Sequence, residues 1–228
     1  MRSVESQEGD RTGRSRLETW TRTKPNQDAA LEQYRNRANS YDFEIAMLAP
    51  LRSRAINRLR LRRGATVLDV GCGTGLSLAQ LRKHVGQQGR VIGIEQSPEM
   101  IAQARQRVAD NAWRHVSLVC APVQEAKVGA TADAALFHFT HDILRTPDAL
   151  ENVFDHLRPG ARVVAAGLKW APSLPANLLV LPAALRSVTS LEGLDQPWSV
   201  LASALEDLEV EELLAGSIYI ASGAVSRA

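Results

Sequence analysis

The chain has 228 residues, of which 45% are hydrophobic, and a net charge of +2 at neutral pH. That length supports one sizeable core in a single domain, and a charge so near balance gives no whole-chain argument for nucleic acid. The two cysteines, Cys72 and Cys120, make no metal-ligand pattern. No apolar run reaches the ~18 residues of a membrane span, and no signal segment is visible, so the expected setting is the reducing cytoplasm.

Residues 1 to 27 are polar and carry Arg2, Arg11, Arg14, Arg16, Arg22 and Lys24. They lack hydrophobic periodicity and interleaved aromatics, and read as a disordered, solvated tail rather than a nucleic-acid arm. Residues 28 to 63 read as two helices. In the second, Met47, Leu48, Leu51, Ala55 and Leu59 form an apolar stripe surrounded by Arg52, Arg54, Arg58, Arg60, Arg62 and Arg63, and Gly64 ends it.

Strands and helices then alternate. Residues 65–70 read as a buried strand, and Leu78, Leu81 and Val85 mark a helix. A second strand spans 89–95, after which Ser97 caps a helix with Pro98 at its first position. Strands follow at 116–120 and 133–139. Thr146-Pro147 repeats the cap-then-proline start, Arg158-Pro159-Gly160 stops that helix, and 161–167 is a fifth strand. Residues 171–204, broken by Pro172, Pro175, Pro182 and Pro197, read as short helices and loops over a site. Leu178, Leu179, Leu181, Leu185 and Leu191 would make that segment a hydrophobic lid or a homodimer contact. Strands at 208–214 and 217–222, joined by a tight Ala215-Gly216 turn, should be antiparallel. The alternation predicts an α/β fold, a doubly wound and mostly parallel sheet with helices on both faces.

The loop after the first strand places Gly71, Gly73 and Gly75 within five positions. Glycine permits positive φ and close backbone approach, so a ligand can rest along Asp69 to Leu76, on Gly71, Cys72, Gly73, Thr74 and Gly75. A P-loop needs Gly-Lys-Ser/Thr, but Leu76 follows Gly75. A dinucleotide fingerprint needs a third glycine where Leu76 stands. Asp69 would repel a diphosphate and suits an amine-bearing ligand. Glu95, at the end of the second strand, is placed to accept ribose hydroxyls. S-adenosylmethionine, with its sulfonium and ammonium and no phosphate, meets these conditions.

Three stretches, "VLDVGCGTG", "VIGIEQSPEMI" and "LRPGARVV", make the chain resemble class I S-adenosylmethionine-dependent methyltransferases over about residues 40 to 170. The resemblance implies a seven-stranded Rossmann-like sheet with an antiparallel terminal strand. It implies S-adenosylmethionine as cofactor, with Asp69 near the methionine moiety, Glu95 on the ribose, and Gln96 and Met100 flanking the adenine. Many members of the family have Gly-Asp-Ala after the third strand. Here Ala121-Pro122-Val123 stands instead, leaving backbone atoms or Gln124 to meet the adenine. "YRNRANSYDFE" is similar to the leading helix of ubiquinone-type small-molecule methyltransferases, where Tyr34 or Tyr41 would close over the cofactor.

After the fourth strand, His141 is a candidate general base and Asp142 its neighbour or a helix cap. His138 reads as a core histidine; His84, His115 and His156 read as peripheral. Lys169, Trp170 and Trp198 fall where a substrate wall would lie, the two tryptophans reading as packing anchors rather than specific contacts. No metal site is expected. The reading is a methyltransferase for a small apolar or aromatic molecule, acting on O, N or C. The alternatives are a cofactor-binding member that does not methylate, a nucleic-acid or protein methyltransferase, and an NAD enzyme.

Overall fold

A computed structural model describes residues 25–35 and 46–227. Seven strands make one sheet in the order β3-β2-β1-β4-β5-β7-β6. They are β1 (Thr66–Val70), β2 (Arg90–Glu95), β3 (Val116–Cys120), β4 (Ala132–His138), β5 (Leu157–Leu168), β6 (Leu205–Leu213) and β7 (Ile218–Val225). β7 runs antiparallel to β5 and β6, and the other pairings are parallel. The expected sheet and its reversed end are therefore present.

Eight α-helices are described: α1 (Gln27–Arg35), α2 (Ala49–Arg58), α3 (Leu78–Val85), α4 (Pro98–Asp110), the single turn α5 (His141–Leu144), α6 (Pro147–Asp155), α7 (Leu174–Ser187) and the single turn α8 (Ser199–Ala202). Alternate strand residues point to opposite faces. Leu68, Val70, Ile94 and Phe137 pack with Leu150 and Val153 of α6. Val67, Val91, Leu136 and Val164 pack with Leu51, Ala55 and Ile56 of α2, with Leu78 and Leu81 of α3, and with Ala104 of α4. None of the described helices is long and apolar enough to cross a membrane.

Local chemistry explains the boundaries. Ser97 has extended backbone, and its Oγ accepts the Met100 N–H at 3.2 Å, with Pro98 opening α4. Thr146 precedes Pro147 as expected but makes no side-chain cap; its hydroxyl donates to the Asp142 carbonyl at 2.8 Å.

Three expectations change. Arg158-Pro159-Gly160 lies inside β5, where the register with β4 shifts between Ala132 and Ala134; the segment is an irregular strand start and not a helix stop. Met47 is 89% exposed, and the buried side chains of α2 are Leu51, Arg52, Ala55 and Ile56. Leu51, Ala55 and Leu59 of the stripe are buried as expected, but the buried face also takes in Ile56 and Arg52, so that Arg52 points inward. Pro25 and Asn26 belong to the described fold, with the Asn26 Oδ1 accepting the Ala29 N–H at 2.8 Å as the cap of α1. Residues 1–24 lie outside the described residues.

Phe137 is fully buried in the sheet centre. Phe137→Ala is expected to lower unfolding free energy by about 3–5 kcal/mol through lost burial and a cavity, measurable by urea denaturation.

Candidate active site

From β1 the chain steps outward to β2 and β3, and from β4 it steps the other way to β5. Open α/β sheets bind ligands beyond the carboxyl ends of the strands at such a switch. A cavity of about 200 Å³ lies there. Its wall takes Gly71 and Gly73 from the loop after β1, Glu95 and Gln96 from the end of β2, and Met100 from α4. Val123 and Gln124 follow β3, and His138, Phe139, Thr140, His141 and Asp142 end and follow β4. Pro25, Asn26 and Ala30 of the N-terminal segment also line it, as does Ser187 at the end of α7.

Gly71 is required by both backbone and space. Its φ is +69°, and a Cβ there would meet the Thr140 Cγ2 at 2.6 Å. The loops after β1 and β4 thus touch through a missing side chain. Glu95 fixes the loop from the other side. Its Oε2 accepts the Gly73 N–H at 3.0 Å and its Oε1 accepts the Ser97 N–H at 2.8 Å. Burial raises the Glu95 pKa, and these backbone donors oppose the rise. With the Gln96 N–H these donors take three of the carboxylate's roughly four acceptor positions, so one is left for a ligand.

Beyond Gly73 the loop turns inward. Thr74 is buried, and its carbonyl accepts from the Arg107 Nε at 3.2 Å. Gly75 lies under Leu78 and Ala104. The Cys72 sulfur sits where a Cβ on Gly93 would be, 2.8 Å away, and burial pushes the thiol pKa up. Of the residues expected to contact a cofactor, Gly71, Gly73, Glu95, Gln96, Met100 and Val123 line the cavity. Cys72, Thr74, Gly75, Ala121 and Pro122 are not in its wall. Tyr34 belongs to α1, whereas Tyr41 lies outside the described residues.

Asp69 is also absent from the wall. It is 2% exposed at the end of β1. Burial pushes its pKa up to about 7, opposed by the Arg52 charge and reinforced by Glu95. The wider buried face of α2 thus brings the cation that acts on Asp69 from within the fold. Burial and the same Arg52 push His138 down to about 3. His138 is the last residue of β4; it lines the cavity, and its buried Nε2 has no protein partner.

Phe139 has φ of +58° and turns the chain out of the sheet, an uncommon conformation for a bulky residue. Two residues later His141 opens α5, buried. Its Nε2 lies 3.0 Å from the Glu192 carbonyl oxygen, and its Nδ1 has no protein partner. A carbonyl only accepts, so Nε2 carries the proton and Nδ1 the lone pair. Burial lowers the His141 pKa, with the Asp142 charge opposing. The Asp142 Oδ2 accepts both the N–H and the hydroxyl of Thr189, at 2.9 and 2.8 Å.

Lys169 is not part of a substrate wall, and Trp198 is the packing anchor it was expected to be. The Lys169 Nζ donates to the carbonyls of Trp170 and Gly216 and pairs with Glu212 at 3.2 Å, which makes it a brace for the β6–β7 turn. Trp198 packs on Tyr219 with ring centroids 5.1 Å apart. Leu178 is 74% exposed, and among the described residues only Ser187 of α7 reaches the cavity. Asn26, Thr140 and Ser187 escaped the sequence reading. For Asn26 a signal existed, because Pro25-Asn26 before an acidic first turn is a helix start. Among the described residues no group of three His, Cys, Asp or Glu is placed to hold a metal.

Residues 67–160, which carry this loop, Glu95 and the β4 end, match the family model of a methyltransferase domain. Over that stretch the chain resembles class I S-adenosylmethionine-dependent methyltransferase domains. The aklanonic acid methyltransferase DauC of Streptomyces sp. strain C5 is 28% identical over 170 residues, covering 71% of this chain and 74% of that protein. The 2-phytyl-1,4-naphtoquinone methyltransferase of Thermosynechococcus vestitus is 34% identical over 113 residues, 47% of this chain and 48% of that one. A solved methyltransferase from Aquifex aeolicus has the same fold, with a TM-score of 0.55 and 21% identity over 76% of this chain and 89% of that one. The chain spans between about a third and a half of the length of the first curated relatives it matches.

The Asp69 shift has a signed consequence for this domain. Its pKa rises from 3.8 to about 7 on folding, so the native state keeps a proton that the unfolded state loses. Asp69 therefore makes stability fall as pH rises between about 4 and about 7. Asp69→Asn removes that slope. Its stability relative to wild type is expected to climb across this window in urea melts, and parallel curves for the two proteins would contradict the assignment.

Proposed function

We propose that this domain moves the methyl group of S-adenosylmethionine onto a hydroxyl of a small, largely apolar aromatic molecule, with His141 as base. The observation that carries the reading is the tautomer of His141. The Glu192 carbonyl keeps the proton on Nε2, which leaves a partnerless Nδ1 lone pair on a residue of the cavity wall.

The residues present fit the cofactor. Gly71 and Gly73 leave room beside the backbone for its methionine end. Glu95 has one acceptor position left for a ribose hydroxyl, and Gln96, Met100 and Val123 would flank the purine. When bound, S-adenosylmethionine supplies an electrophilic methyl group on a sulfonium.

The chain's own residues do the rest. Burial keeps the His141 ring neutral at neutral pH, so Nδ1 is ready to accept. The proton of the acceptor hydroxyl would pass to Nδ1, leaving that oxygen nucleophilic toward the methyl group with the neutral thioether as leaving group, and the Asp142 charge favours the resulting imidazolium. Phe139, Ile143 and Ala149 give the wall its apolar character. The Thr140 Oγ1, the Asp142 Oδ1 and the His138 Nε2 have no protein partner and supply further hydrogen-bonding groups. The relatives named for aklanonic acid and for a phytyl naphthoquinone support a small-molecule acceptor.

Calorimetric titration with S-adenosylmethionine is expected to show one site, and titration with NAD none; the reverse result overturns the reading. Gly73→Arg is expected to abolish the S-adenosylmethionine signal by filling the loop. With 1,4-dihydroxynaphthalene as acceptor, His141→Ala is expected to lower kcat by about 10²-fold while cofactor affinity stays unchanged. Undiminished turnover would remove His141 from the chemistry.

A further inference from the structure

Asn26 and Thr189 are 163 residues apart in sequence, yet the Asn26 N–H donates to the Thr189 Oγ1 at 2.9 Å. The same hydroxyl donates to the Asp142 Oδ2 at 2.8 Å, and the Thr189 N–H donates to that oxygen at 2.9 Å. The hydroxyl's proton is thus committed to the carboxylate, and one of its lone pairs to Asn26. The result is a directed relay that ends on a charge, the arrangement in which successive hydrogen bonds strengthen one another. Thr189 is buried, so an Asn26 N–H deprived of this acceptor would have little water to turn to.

Both ends of the relay bear on the cavity. Asn26 caps α1 through the Ala29 N–H. Pro25, Asn26 and Ala30 form the cavity wall on that side, and Asp142 lies in the wall after β4. Segment 187–192 grips α5 at two further points, the His141–Glu192 carbonyl contact and an Arg145–Glu192 ion pair at 3.1 Å. Thr189 joins this grip to the N-terminal segment, through the Asn26 N–H.

We propose that Thr189 is a positioning residue that closes the ligand cavity, by docking the start of α1 onto Asp142. The closure rests on the methyltransferase reading only for the identity of the ligand it retains; the docking itself does not. Release of the nucleoside product then requires the Asn26–Thr189 bond to open. Asp142 acts through Thr189 as the anchor of the cover and takes no proton from the acceptor.

The test compares Thr189→Val, which keeps the shape and loses the hydroxyl, with Thr189→Ser, which keeps the hydroxyl. Two quantities are read on the full chain: amide hydrogen exchange over residues 26–35 without ligand, and stopped-flow dissociation of S-adenosylhomocysteine. Thr189→Val is expected to speed both about tenfold, the size that fits one buried donor losing its acceptor, and Thr189→Ser to leave both at the wild-type values. Wild-type exchange over 26–35 in Thr189→Val overturns the docking. Faster exchange with unchanged dissociation overturns the closure. Equal defects in both variants assign the effect to packing and overturn the hydroxyl's role. Failure of the wild-type protein to bind S-adenosylhomocysteine overturns the cofactor reading instead, and the exchange data still decide the docking.

Discussion

One carboxylate organises the carboxyl edge of the sheet. Glu95 accepts from the loop after β1 with one oxygen and from the start of α4 with the other. Two segments are thereby held by backbone donors on a shared charge. Burying that charge is unfavourable, and the hydrogen bonds offset the cost. The arrangement sets where Gly73 stops, where Met100 begins its turn of helix, and how wide the space between them is. Because Gly71 already touches Thr140 across the switch point, the same constraint carries from β2 through β1 to the end of β4.

Around this anchor the protein has placed ionisable groups in unusual states. On one side of the sheet Arg52, Asp69 and His138 share a buried environment, with Asp69 pushed up to about 7 and His138 down to about 3. On the cavity wall His141 is held neutral by burial. The cavity wall therefore sets a neutral imidazole beside the Asp142 and Glu95 carboxylates. Asp142, adjacent in sequence to His141, serves a different purpose because both Thr189 donors converge on one of its oxygens.

Much of the fold was legible because its signals are local. β3 was bounded to the residue, and Ser97-Pro98 opened α4 as a cap followed by proline should. Gly71, Gly73, Glu95, Gln96 and Met100 were legible as a group because they close two consecutive strand–helix units. What was missed depends on tertiary partners. The inward turn of Arg52 answers Asp69 and is invisible to helical periodicity, which treats arginine as exposed. The bracing role of Lys169 needs the β6–β7 turn. The contribution of Asn26 needs a threonine from the other end of the chain. Arg158-Pro159-Gly160 looked like a stop because proline and glycine usually are, but a register shift in β5 accommodates both.

The reversal of β7 leaves β6 as an outer rim of the sheet, and that rim is heavily acidic. Glu206, Asp207, Glu209, Glu211 and Glu212 crowd it, Asp207 takes a φ of +51°, and the register with β7 shifts between Glu206 and Glu209. Arg54 and Arg58 reach over from α2 to bind Glu209 and Glu211. A passing strand would find repulsion, a kink and two arginine side chains where it needs a straight row of free amides and carbonyls. Crowded solution is therefore poorly placed to recruit this sheet into a larger one through β6, and a reversed strand that looks like a topological flourish also serves as protection against aggregation.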